Sequence, residues 1–308
     1  LRDSSLAHLL AISGMNMVFL TSFVFVVIRR GVALVPPLAL RMNSKKIAAG
    51  VGLAVAWFYL LLSGANVATE RAFVMVAVML GAILFDRRAL SLRSVAIAAM
   101  VLLMAKPESL AEPGFQMSFA ATIALIAGFA ALEEWGMHRR LPRWVVPSVM
   151  VVASSAIAGV ATAPYAAAHF NRLSDLGFFA NLLTVPVMGL VVMPAGVIAA
   201  LLAPVGLAGV PLWVMGKGAA WILYVAEQVA AIEGAVTPIV APGIWVVPLI
   251  SLGVIWAILT LGRLRLAGVA AVVAAFALWS QATRPALLIS ADGSLAGLMG
   301  PAGRALSS

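Results

Sequence analysis

The sequence predicts an all-α fold: a polytopic transmembrane helical bundle of about ten spans, with broken or re-entrant segments. Composition and one pattern predict it. Hydrophobic residues make up 64% of the 308 and charged residues 10%, against about 45–50% and about 25% in a soluble domain. Mean hydropathy is +1.10. The apolar residues come in runs on the scale of the ~20 helical residues that cover a hydrocarbon core of about 30 Å. These runs lack the period-two alternation of a membrane barrel. Backbone groups in lipid must bond within their own segment, so helices follow.

Taken in order, the spans fall at roughly 6–28, 47–63, 70–85, 92–105, 114–132, 145–168, 177–202, 209–232, 244–261 and 264–280. Gly31–Leu40, with Pro36-Pro37, is too short to cross and is expected at the interface or re-entrant. The first span holds Ser13-Gly14 in mid-run. The seventh holds Pro186, Gly189, Pro194 and Gly196 and reads as two half-helices, which membranes tolerate where backbone is buried in protein or lines water. The tail after Pro285 reads as a short strand pair around Asp292-Gly293. The expected domains are thus 1–282 in the membrane and 283–308 as the start of a small extracytoplasmic tail. The chain opens at Leu1 without methionine and reads as a piece of a longer protein.

Charge gives the spans a direction. Basic residues collect after the first span (Arg29, Arg30, Arg41, Lys45, Lys46), the third (Arg87, Arg88, Arg93), the fifth (Arg139, Arg140, Arg143) and the ninth (Arg263, Arg265). The alternate loops are poor in Lys and Arg. The positive-inside rule puts the basic loops in the cytoplasm and both ends outside. Most of the net charge of +9 is then a topology signal, not a nucleic-acid footprint.

Polar residues at membrane depth are costly unless they meet a partner or water. His8, Ser13 and Asn16 lie near one face of the first span, as a pore-facing stripe or as interhelical hydrogen bonds. Asn66 ends the Ser63-Gly64-Ala65-Asn66 turn, and Glu70 and Arg71 open the third span. That pair either neutralises itself or stands at the mouth of a path. Gln116 and Ser118 follow Pro113-Gly114 as amphipathic or pore-lining positions. Phe115 and Phe119, four apart, are core or stacking faces. His169, Arg172 and Asp175 follow the Pro164 kink, and Asn181 lies one turn into the seventh span. Lys217, Glu227 and Glu233 share the eighth stretch, where a helix lying flat would leave them in the headgroup layer.

No cysteine is present, and the three histidines are scattered, so no metal site or cofactor is expected. No HExxH, Walker A or nucleophile elbow occurs, and the chain is not expected to be an enzyme. Ser13–His8 is the one pair an intramembrane hydrolase could use. A small-solute transporter with a midplane pocket is the alternative from another class.

Four strings in order carry a resemblance. Leu6 to Asn16 (LAHLLAISGMN) resembles the "HLLAISGLH" signature of the ComEC competence proteins, the inner-membrane DNA channels of natural transformation. Ser63–Asn66 with Arg71-Ala72-Phe73 is similar to "SGA…RAF". Pro113–Ala120 is similar to "PGFQLSFA", and Asn181–Pro186 to "NLLAVP". The resemblance spans about residues 1–280, the family's transmembrane competence domain. Asn16 replaces the family's usual histidine, so no titrating or metal-binding role is implied there. The OB-like and metallo-β-lactamase-like domains that members often carry are not within these residues, so no nuclease is assigned.

The resemblance implies passage of single-stranded DNA across a bacterial inner (plasma) membrane. It implies His8, Ser13, Asn16, Asn66, Arg71, Gln116, Ser118, His169, Arg172 and Asn181 as path-lining residues. Its implied partners are single-stranded DNA, the lipid bilayer, a separate cytoplasmic ATP-driven motor and an outer DNA-receptor protein, with a homo-oligomer left open. Sequence-neutral transit would use phosphate contacts and stacking, bound weakly enough to leave.

Overall fold

The computed structural model describes residues 14–35, 37, 42–136, 141–232 and 234–283, and in the tail 287–289, 296–300 and 303–307. His8, Ser13 and the loop arginines Arg41, Arg139 and Arg140 lie outside the described residues.

The ten apolar runs all form helices. The first unit carries α1 (Gly14–Leu34), α2 (Ser44–Leu62), α3 (Val67–Leu84), α4 (Leu92–Ala105) and α5 (Pro113–Glu134). It continues through most of α6 (Val146–Phe170), then α7 (Gly177–Val187), α8 (Met193–Leu202) and α9 (Gly209–Ala231). The second unit holds α10 (Val246–Leu259), α11 (Arg265–Ser280) and the tail. Among the described residues, eight helices are long and apolar enough to cross a membrane. α4 and α10 have 14 residues each, about 21 Å at 1.5 Å per residue, shorter than the apolar core. α4 is followed by a 3₁₀ turn over Pro107–Ala111 that ends at the N-cap of α5.

Polar residues set the helix starts. Asn43 accepts from the backbone of Lys45 and Lys46, Asn66 from Ala68 and Thr69, and Ser91 from Ser94. Each satisfies amides that have no partner inside the helix. Pro113 opens α5, where its missing N–H costs nothing.

α1 runs unbroken from Gly14 to Leu34 and takes in the first residues of the stretch expected at the interface or re-entrant, of whose remainder only residues 35 and 37 are described. One expectation is corrected. The seventh span is not two half-helices. α7, a π-helical turn over Met188–Val192 and α8 wind on as one helix, within a 29-residue apolar segment. Pro186 and Pro194 each remove a ladder donor, and the wider turn lies between them. Gly189 in that turn lets the Phe19 ring of α1 approach; a Cβ there would stand 3.2 Å from Phe19 Cε1. Packing from α1 thus carries the helix past the breakers.

α1 is the hub of the first unit. Met17 is buried against Ala56 and Leu60 of α2 and Ala72 and Val76 of α3. Met15 and Phe19 pack on Ala180, Met188, Val192 and Ile222, from α7, the π turn and α9. A Cβ at Gly14 would lie 2.7 Å from the Ala72 Cβ. Apolar side chains gain little by leaving lipid for one another, so such close small-residue contacts are what hold membrane helices together. In the second unit, α10 and α11 cross at Gly253 and Gly268; a Cβ on Gly268 would lie 2.6 Å from the Ala257 backbone nitrogen.

Polar ties join helix ends. Lys46 Nζ meets Asp86 at 2.6 Å, linking the start of α2 to the end of α3. Glu70 and Arg71 link the start of α3 to Lys106 and Glu112, beyond the end of α4. Thr237 donates to Asp175 at 2.6 Å, linking the residues after α9 to those before α7. Each tie joins ends that alternate crossing would bring to one side. The strands β1 (Arg172–Ser174) and β2 (Val236–Pro238) form a two-stranded sheet. The tail forms an antiparallel sheet in the order β3 (Leu287–Ile289), β4 (Ala296–Gly300), β5 (Gly303–Ser307). The expected strand pair is there, with a third strand added; its Asp292-Gly293 turn lies outside the described residues.

Candidate functional site

The polar residues of the first unit converge where α3 begins. The chain reverses between α2 and α3 through Gly64 (φ 71°) and Ala65 (φ 50°), two successive left-handed residues. Glycine adopts this without strain. Asn66 Oδ1 then accepts from the Ala68 and Thr69 amides at 3.1 and 3.0 Å. Thr69, fully buried, bonds back to Ser63 and to the Asn66 carbonyl at 3.0 Å each. Asn66, expected to line a path, is the cap that fixes this corner.

The cap fixes where Glu70 and Arg71 sit. They do not neutralise each other. Arg71 Nη1 donates to Glu112 Oε2 at 2.9 Å, and Glu70 pairs with Lys106. Hydrogen bonding and charge from Glu70 raise the Lys106 pKa above its ordinary value. The Arg71 side chain is 13% exposed and that of Glu112 37%. The guanidinium packs against Gly114, where a Cβ would stand 2.9 Å from Cζ. Glu112 is the N-cap residue of α5, so its carboxylate lies between a cation and the positive end of a helix. Arg71 Nε is buried and has no hydrogen-bond partner among the described residues.

Gln116 sits at the same corner, where Nε2 donates to the Leu110 carbonyl at 2.9 Å and ties α5 to the 3₁₀ turn. Ser118 is half-buried one turn in. Phe115 and Phe119, with ring centroids 4.3 Å apart, are buried against Val95, Ala98 and Leu102 of α4. They are core and present no free faces for stacking.

Asn16 is buried on α1 and hydrogen-bonds Tyr59 of α2, the interhelical alternative. Asn181 on α7 is half-buried, and its Oδ1 is enclosed without a partner among the described residues. His169, exposed, and Arg172, half-buried, belong to the second unit. His8 and Ser13 lie outside the described residues, and with them the hydrolase pair.

Sequence reasoning missed Lys106 and Glu112 as partners and Gly114 as the seat of the guanidinium. The available signal was position: all three lie in or shortly before Pro113–Ala120, one of the four strings that carry the resemblance. Lys217 lies on α9, which buries Gly218, Ile222, Val225 and Ala226 along the α7–α8 segment and, as its place among the ten spans requires, is long enough to cross. Lys217 stands 5.6 Å from the Trp213 ring centroid. Two open grooves are apolar and include none of the ten residues; one lies between α2 and α3, the other between α10 and α11.

The family model described as competence protein matches residues 1–264. The chain belongs to the competence protein family. The match takes in the charged corner and everything from α1 to α10, and with those apolar helices it makes the chain a multi-pass membrane protein of competence. No curated protein and no solved structure matches the chain.

Proposed function

We propose that this competence protein is the inner-membrane channel through which single-stranded DNA passes during natural transformation. The observation that carries the reading is the Arg71–Glu112 pair, a semi-buried cation held by a carboxylate at the end of the bundle opposite the basic loops. By the charge asymmetry of the loops that end faces outward, where DNA would arrive. A guanidinium binds phosphate as readily as carboxylate, often bidentately. A phosphate reaching Arg71 would displace Glu112, which stays at the α5 N-terminus. One anion replaces another, so little net affinity is gained and the strand can move on. Gln116, Ser118, Asn16 and Asn181 offer neutral dipoles beyond.

The chain breaks no bond in this scheme. The work comes from a separate cytoplasmic ATP-driven motor, and an outer DNA receptor delivers the strand. The test is uptake of labelled DNA by cells carrying Arg71→Ala, Gln116→Ala or Asn181→Ala at equal membrane levels. Arg71→Ala is expected to lose uptake by tenfold or more and the other two by less. Wild-type uptake by all three would sink the site.

A further inference from the structure

The groove between α2 and α3 has no part in that reading. It is lined by Gly50, Leu53, Ala54 and Trp57 of α2 and by Phe73 and Ala77 of α3, with a volume of about 520 Å³. Its walls are the edge-to-face pair Trp57–Phe73, with centroids 5.5 Å apart, and its floor is small residues. Both helices are long and apolar enough to cross, so an open groove on them faces lipid. Toward its base, Lys46 stands four residues before Gly50, one helical turn or about 6 Å away. Lys46 pairs with Asp86 across the two helix ends. Lys45, Arg87 and Arg88, next to that pair along the chain, are exposed. Four cations therefore lie at or next to this tie along the chain, at the helix ends below an apolar slot.

We propose that this groove holds an acyl chain of an anionic phospholipid whose headgroup is bound by Lys45, Lys46, Arg87 and Arg88. Clusters of basic side chains at the ends of membrane helices attract anionic headgroups. The slot above them accepts the attached chain without displacing protein atoms. A second copy of this chain is the competing occupant, since Gly50 and Ala54 are spaced as small residues at helix contacts are. Two copies in the same orientation would bring their four cations together, and that repulsion selects the lipid.

Gly50 makes the test clean. A Cβ there meets nothing within 4 Å, so Gly50→Leu fills the slot without a clash. The full chain is reconstituted in phosphatidylethanolamine vesicles with and without phosphatidylglycerol, extracted, and weighed intact by native mass spectrometry. The wild type is expected to retain phosphatidylglycerol over phosphatidylethanolamine by more than tenfold, at about fivefold per basic side chain. Gly50→Leu is expected to lose the bound lipid at unchanged melting temperature. Replacing Lys45, Arg87 and Arg88 by glutamine should keep a lipid but bring selectivity toward one. Three results would overturn the proposal: equal retention of both lipids by the wild type, undiminished retention by Gly50→Leu, or a wild-type dimer that Gly50→Leu breaks.

Discussion

At one end of α3, Arg71 reaches Glu112 across the first turn of α5; at the other, Asp86 reaches Lys46 at the first turn of α2. The distances are alike, 2.9 and 2.6 Å. The surroundings are not. Arg71 is mostly enclosed, seated on a glycine that leaves room for the guanidinium and nothing more. Lys46 and Asp86 are 38% and 71% exposed, and the exposed Lys45, Arg87 and Arg88 flank them along the chain. A surface pair in water contributes little. A pair whose cation is mostly enclosed is costlier to break by removing the carboxylate, because that cation is left without compensation. The two ends of one helix thus carry a fitted site and a solvated tie.

The sharpest way to break that contrast is a paired uptake experiment. Arg71→Ala should lose DNA uptake by tenfold or more, and Lys46→Ala should stay within about twofold at equal membrane levels. Equal losses would mean that both pairs merely hold helices, and the corner would have no special standing. Gly114→Ala comes next. Its Cβ would meet the end of a flexible side chain, so the guanidinium swings aside and α5 is undisturbed. Uptake should fall as in Arg71→Ala while the melting temperature moves by a few degrees at most. A large loss of stability with uptake intact would show that the glycine serves packing alone.

The helices were legible in the sequence and the corner was not. Among the described residues each of the ten apolar runs holds a helix, because lipid forces each run to satisfy its own backbone. The seventh was misread since Pro186 and Pro194 are local breakers, whereas the Phe19 ring that fits against Gly189 comes from a helix some 170 residues earlier. Asn66 was readable as a cap, an asparagine just before an apolar run, but the resemblance implied a path there. The Arg71 and Glu112 pairing joins residues 41 apart, and neither helical spacing nor composition connects them. The resemblance placed both at the edges of its strings without saying that they meet.

At the solvated end the effect is smaller. Lys46→Met and Asp86→Asn should each lower stability by less than about 1 kcal/mol, and the double variant should show coupling of no more than about 0.5 kcal/mol. Thermal unfolding of the purified chain in detergent, at low and high salt, reads both. A coupling that survived high salt would mean the pair is shielded, and the two ends would be more alike than their exposure indicates.

The smallest effect concerns Lys106, the outer member of the charged corner. Glu70 raises its pKa, so the folded state holds the proton more tightly than the unfolded chain does. The tie is therefore fully present below the unfolded lysine value of about 10.4 and is lost as pH rises through the raised folded value. Lys106 is exposed, so little of this reaches stability. Between neutral pH and pH 9 the wild type and Lys106→Gln should unfold with the same pH dependence. Above about pH 10 the wild type should lose stability slightly faster, as its lysine discharges and the variant has none to lose. Identical slopes throughout would show that the Glu70–Lys106 contact adds nothing in solution, leaving Arg71 and Glu112 as the whole of the corner's electrostatic design.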